Sequence, residues 1–276
     1  MPFWLSIACL SVFQGVLVAL PGRVTAPWLT RLRAGGWAAV LPTSIVAFVL
    51  IAGAAEKASA QGLTYLALVA VPPLAALALA ALARGGRPRN ALLAGALFAL
   101  AWADRGGLAG NAAATLLSGL SCVALGALLG AVTPARWLAI GIVAMALADT
   151  AFVVSDLLQA PNDALNAARP AAGLPRLQSA TFGSAVMGYG DLFVAAVLGG
   201  LLAAERVARL GPAVLVVTLA LCMDALFFAV HELPATVPVA LALIVLRLRE
   251  RRTRPSEDRG RGPAVAAVRR VGQSRL

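Results

Sequence analysis

Nearly the whole chain is written in apolar runs long enough to be membrane-crossing helices, and this property excludes most folds. A helix rises about 1.5 Å per residue, so about twenty apolar residues match the ~30 Å hydrocarbon core of a bilayer. Runs of this kind lie near 3–20, 37–55, 63–83, 90–103, 108–131, 136–158, 183–204, 210–230 and 233–248. The fourth is the shortest. Composition agrees: 61% of the 276 residues are hydrophobic and only 13% are charged, about half the charged share of soluble domains. Inside hydrocarbon every backbone amide needs an internal partner, which a helix supplies. The expected fold is therefore all-α, a polytopic bundle of transmembrane helices.

The connecting charges test this segmentation independently. Arg23, Arg31 and Arg33 follow the first run, Arg84, Arg87 and Arg89 the third, Arg136 the fifth, and Arg206 and Arg209 the seventh. The alternate connections are poorer in positive charge. The positive-inside rule then places the N-terminus outside and the C-terminus in the cytoplasm. A formal charge of +11 might suggest nucleic acid as a partner, but 10 of the 23 basic residues lie between Arg247 and Arg275, directly after an apolar run. That placement fits an anionic lipid surface, and no nucleic-acid partner is expected. The Ala/Arg-rich, Lys-poor composition points to a bacterial plasma membrane. Cys9, Cys122 and Cys222 all fall inside apolar runs without CxxC pairing, so they are read as small buried hydrophobes.

Three acids fall well inside apolar runs: Asp149, Asp191 and Asp224. A charge near mid-bilayer costs roughly 2.5–3.5 kcal/mol on insertion scales, so such residues face a bundle interior, where they react, relay ions or bond helices. Measured from the ends of their runs, Asp149 and Asp191 each lie about 12 Å deep on oppositely directed helices, so they meet at one level if the helices are neighbours. Asp156 sits roughly 10 Å shallower than Asp149, and Asp224 approaches the same layer as the pair. Two carboxyl groups sharing a site divide the labour of peptide hydrolysis: the ionised one takes a proton from water and the protonated one polarises the carbonyl.

Around Asp191 the chain reads Met187-Gly188-Tyr189-Gly190-Asp191-Leu192-Phe193. This resembles the GxGD motif of the intramembrane aspartyl proteases, the presenilin and signal peptide peptidase superfamily. Ala148-Asp149-Thr150-Ala151-Phe152-Val153 is similar to the family's first aspartate motif, with Ala148 where a tyrosine is usual. Leu233-Pro234-Ala235-Thr236-Val237-Pro238 is similar to its Pro-Ala-Leu motif, with Thr236 in place of the leucine. The resemblance spans residues 136–248 and implies a presenilin-like architecture of nine spans. It implies that Asp149 and Asp191 are catalytic, and that Gly188, Tyr189, Gly190, Pro234 and Ala235 position the substrate, a transmembrane helix. Asp156 and Asp224 are secondary candidates. No metal or organic cofactor is expected.

The organisation that follows is a five-span scaffold over 1–131, catalytic helices six to nine over 132–248, and a basic cytoplasmic tail over 249–276. Two alternatives stay open. Gly190-Asp191 followed by small residues and Gly199 also resembles prepilin peptidase, although Phe193 stands where those enzymes carry a lysine. An ion-coupled secondary transporter would use the same buried aspartates as protonatable sites.

Overall fold

The computed structural model describes residues 2–54, 56–155, 174–228 and 233–253. Its helices, in chain order, are α1 (Phe3–Ala19), α2 (Pro27–Thr30), α3 (Val40–Ala54), α4 (Glu56–Leu77), α5 (Ala91–Ala103), α6 (Leu108–Val132), α7 (Ala135–Val154), α8 (Tyr189–Ala204), α9 (Leu210–Asp224) and α10 (Val237–Thr253). Every apolar run of the sequence contributes a helix. Gln61–Leu82, Leu108–Val132, Ala135–Val154 and Leu210–Phe228 are long and apolar enough to cross a membrane, and α1, Gly35–Leu50 and α8 are shorter apolar helices. Such helices are those of a membrane protein. At 13 residues, α5 measures about 20 Å and falls short of a full hydrocarbon core.

The centre of the bundle is built by backbones that touch. A Cβ added at Gly200 of α8 would lie 2.0 Å from the Gly126 carbonyl oxygen of α6, and one added at Gly126 would lie 2.4 Å from the Ala196 oxygen. Lipid tails are as apolar as leucine, so helices in a bilayer associate through close packing of small residues. The register of these contacts makes α6 and α8 parallel. The packing of Gly119 against Phe13 and Leu17, and of Gly199 against the Val18 carbonyl, sets α1 parallel to both. From Leu192 to Ala203 every residue of α8 is buried. Helix α7 returns from α6 after Thr133 and Pro134, and α9 returns along α1, with Gly15 against Val217.

Connections that carry the arginines meet at one end of this bundle. The Gly22 amide donates to the Leu82 carbonyl at 2.6 Å, and the Arg84 amide donates to the Leu20 carbonyl at 2.8 Å. The Arg209 guanidinium donates to the Pro21 carbonyl. The opposite end is aromatic: Trp4 stacks on Phe228 with ring centroids 4.4 Å apart, and Phe3 meets Phe227 edge-on at 5.6 Å.

One expectation is corrected. Residues 183–204 do not form a single helix. Residues 185–188 are a strand, β2 (Ala185–Gly188), paired antiparallel with β1 (Ser179–Phe182) in the register Ser179–Gly188 to Phe182–Ala185. Gly183, with φ of +59°, takes the first position of a two-residue turn, where hairpin geometry demands positive φ. Neighbouring helices satisfy backbone groups of β1, of the segment before it and of the turn, which is how a strand survives in such surroundings. Thr115 of α6 donates to the Thr181 carbonyl and accepts the Thr181 amide, both at 3.1 Å. Ser118 donates to the Leu177 carbonyl at 2.8 Å, and Ser6 of α1 accepts the Ser184 amide at 3.3 Å.

Residues Met1–Leu243 form one unit and Ile244–Leu276 a second. Of the second, the end of α10 is described. Its Arg247–Glu250 pair at 3.0 Å is largely solvated and contributes little to stability.

Candidate functional site

The hairpin delivers the chain to Asp191. Strand β2 ends at Gly188, α8 begins at Tyr189, and Asp191 is the third residue of the helix. Its Oδ2 accepts the Gly188 amide at 3.1 Å, which satisfies one of the donors left open at any helix start. Asp191 therefore lies in the first turn of its helix, not about 12 Å along one. The strand, in place of a helical turn, carries the chain to that level. Tyr189 is anchored away from the carboxylate, its hydroxyl 2.7 Å from Ser121 Oγ of α6 and its ring packed on a cluster that includes Val71, Leu117 and Leu177.

Asp149 is buried, at 7% exposure, on α7. It stands five residues before the helix end at Val154, about 7.5 Å in, shallower than a helix running to 158 would place it. Thr236 Oγ1 donates to Asp149 Oδ2 at 2.6 Å. One turn earlier on α7, the Met145 methyl lies 3.5 Å from where a Cβ on Gly190 would stand. The start of α8 thus rests against the helix that carries Asp149. The two carboxyl groups are close enough to interact electrostatically.

Asp149, Asp191 and Asp224 all line one cavity of about 880 Å³, and Gly188, Tyr189, Gly190 and Ala235 also front it. Asp224 closes α9 and accepts a hydrogen bond from Ser11 Oγ of α1 at 2.6 Å. Pro234 is not part of the cavity wall; Pro238 takes that place. The Pro234 carbonyl instead accepts the Val237 amide at 3.1 Å and shapes the entry to α10. Asp156 lies outside the described residues.

The glycines of the GxGD segment divide from those of the helix behind it. Gly199 and Gly200 are pressed against backbone, whereas an added Cβ would meet only the Asp191 carboxylate at Gly188, at 3.1 Å, and only Met145 at Gly190. Helix packing explains the first pair and not the second.

Sequence reasoning missed three contributors. In the sequence Thr236 stands out only as a departure from a motif, yet it is the partner of Asp149. The hairpin carries a readable signal, a Gly183-Ser184 step between Thr-Phe and Ala-Val pairs, which the apolar character of the run masked. Gln14 sits in an apolar helix and bonds the Ala235 carbonyl at 2.8 Å. The one amide side chain in α1, alongside Ser6 and Ser11, was the available clue. No protein-family model, curated protein or solved structure matches the chain.

Proposed function

We propose that this chain is an intramembrane aspartyl protease that crosses the membrane nine times and hydrolyses peptide bonds within transmembrane segments. The observation that carries the reading is the pairing of Asp149 and Asp191 on one cavity, from helices that run in opposite directions. In the proposed reaction one carboxylate removes a proton from water as its oxygen adds to the scissile carbonyl. The partner, protonated, donates to that carbonyl oxygen. Collapse of the tetrahedral adduct expels the amine, which leaves with a proton from the pair. Thr236, through its hydroxyl on Asp149, fixes one carboxyl group in orientation and leaves its other oxygen available.

Two features support an extended peptide as the substrate. Strand β2 lines the cavity beside Asp191, and among the described residues it pairs only with β1, so its second edge offers backbone groups to a bound strand. Gly188 and Gly190 leave the backbone there free of side chains. The proposed orientation puts the arginine-bearing end of the bundle in the cytoplasm of a bacterial cell, with the N-terminus outside.

The test is cleavage of a reporter transmembrane helix by purified protein in detergent or liposomes. Asp149→Asn and Asp191→Asn should each lower the rate about 10⁴-fold, and a transition-state analogue of aspartyl proteases should label the wild type alone. Retained cleavage in either variant ends the assignment. A second reading rests on Asp224, a third carboxyl group on the cavity that two-aspartate chemistry does not employ. In an ion-coupled transporter all three acids bind protons. Proton-coupled solute uptake into proteoliposomes, without cleavage, would select that reading.

A further inference from the structure

Gln14 lies on α1, far in sequence from either aspartate, and its side chain is fully buried on a helix that also carries Ser6 and Ser11. Its amide nitrogen donates to two backbone carbonyls: Ala235 at 2.8 Å and, at the longer distance of 3.5 Å, Asp191 itself. Two carbonyl acceptors identify this end of the amide as the nitrogen, because an oxygen there would face two like dipoles.

The Ala235 carbonyl needs that donor. It precedes α10, where Pro234 accepts the Val237 amide and Thr236 accepts the Ala240 amide at 3.2 Å. Pro238, three residues on from Ala235, has no amide hydrogen to give. With no 3₁₀-type donor at position 238, the Ala235 carbonyl takes a hydrogen bond from Gln14 of α1.

The connection runs further. Thr236, the residue after Ala235, donates to Asp149. An unbroken series of contacts thus leads from the Asp191 carbonyl through the Gln14 amide to Ala235 and Thr236, and from there to the Asp149 carboxylate. Gln14 directs its hydrogen bonds to backbone carbonyls, not to either carboxyl group. It holds the two backbone segments from which their spacing follows.

We propose that Gln14 is a positioning residue of the aspartate pair, fixing the distance between Asp149 and Asp191 by clamping the start of α8 to the segment before α10. This rests on the protease reading. The other titratable groups on the same cavity among the described residues are Asp224, from α9, and Tyr189. Their hydrogen bonds go to Ser11 and Ser121, not to Gln14, so a change at position 14 reaches the pair through the clamp.

The experiment compares wild type with Gln14→Leu in cleavage of the reporter helix across pH. A misplacement of about 1 Å costs about a hundredfold in rate, so kcat should fall by about that factor while KM changes less than about threefold. The interval between the acid and alkaline limbs of the pH profile should also narrow, because carboxyl groups held further apart repel each other less. A simple loss of folded protein lowers the rate and leaves that interval unchanged. Should Gln14→Leu not accumulate in membranes, Gln14→Met, close in volume but without an amide, carries the same two expectations. An unchanged pH interval in a folded variant overturns the clamp and leaves the protease standing. Absence of cleavage and of analogue labelling in the wild type overturns both.

Discussion

Two pairs of glycines twelve residues or fewer apart do opposite work in this protein. Gly199 and Gly200, inside α8, have neighbouring backbone where a side chain would begin, at 2.4 and 2.0 Å. Gly188 and Gly190, at the start of the same helix, face a carboxylate and a cavity. The first pair lets α1, α6 and α8 touch. The second keeps side chains away from the aspartates. One residue type thus serves packing in the scaffold and access at the site, and the surroundings of each position decide which.

That contrast predicts separable losses. Gly200→Val should be the most damaging to the fold, lowering stability by about 3 kcal/mol, as read by thermal denaturation in detergent. A melting temperature within a degree of wild type would show that α6 and α8 are not pressed together. Thr236→Val should leave the bundle folded but strip Asp149 of its donor, slowing cleavage by about 10- to 100-fold. Thr236→Ser, which keeps the hydroxyl, should recover most of the rate, and equal loss in both variants would remove Thr236 from the site.

Smaller effects sharpen the same comparison. Gly188→Ala puts a methyl group 3.1 Å from Asp191 Oδ2, so the carboxylate must shift. Cleavage should drop by about tenfold with stability changed by less than about 1 kcal/mol. Gly190→Ala meets only the flexible Met145 side chain and should alter stability by no more than about 0.5 kcal/mol. Any loss of cleavage there, a few-fold on this reading, comes from crowding of bound substrate. A large loss of stability in Gly190→Ala would make it a packing glycine like Gly200 and erase the distinction.

Much of the site was legible because its residues are chemically conspicuous in their setting. An aspartate inside an apolar run stands out, and Asp149, Asp191 and Asp224 do converge on one cavity. Gly188, Tyr189, Gly190, Leu233, Ala235 and Pro238 line the same cavity, whereas Pro234 shapes a helix start without lining it. Depth was less legible. Counting residues along an assumed continuous helix put Asp191 well inside α8, whereas a hairpin precedes it and the helix starts two residues before it. Apolar composition reports the environment of a segment and does not separate helix from strand over a few residues.

From its sequence alone this chain was bound to be a set of apolar helices joined by unequally charged connections. Transfer of apolar side chains out of water is a sum over local residues, and so is the charge count at each joint. Tertiary structure decided the rest. The hairpin that contains the strand at 185–188 is held at Thr181, Leu177 and Ser184 by Thr115 and Ser118 of α6 and Ser6 of α1. The donor to Asp149 comes from Thr236, and the tie between Asp191 and Ala235 comes from Gln14. Each of these is a polar group meeting a partner far along the chain. In a medium without water such partners must be found inside the protein, and only the folded arrangement of helices determines which groups meet.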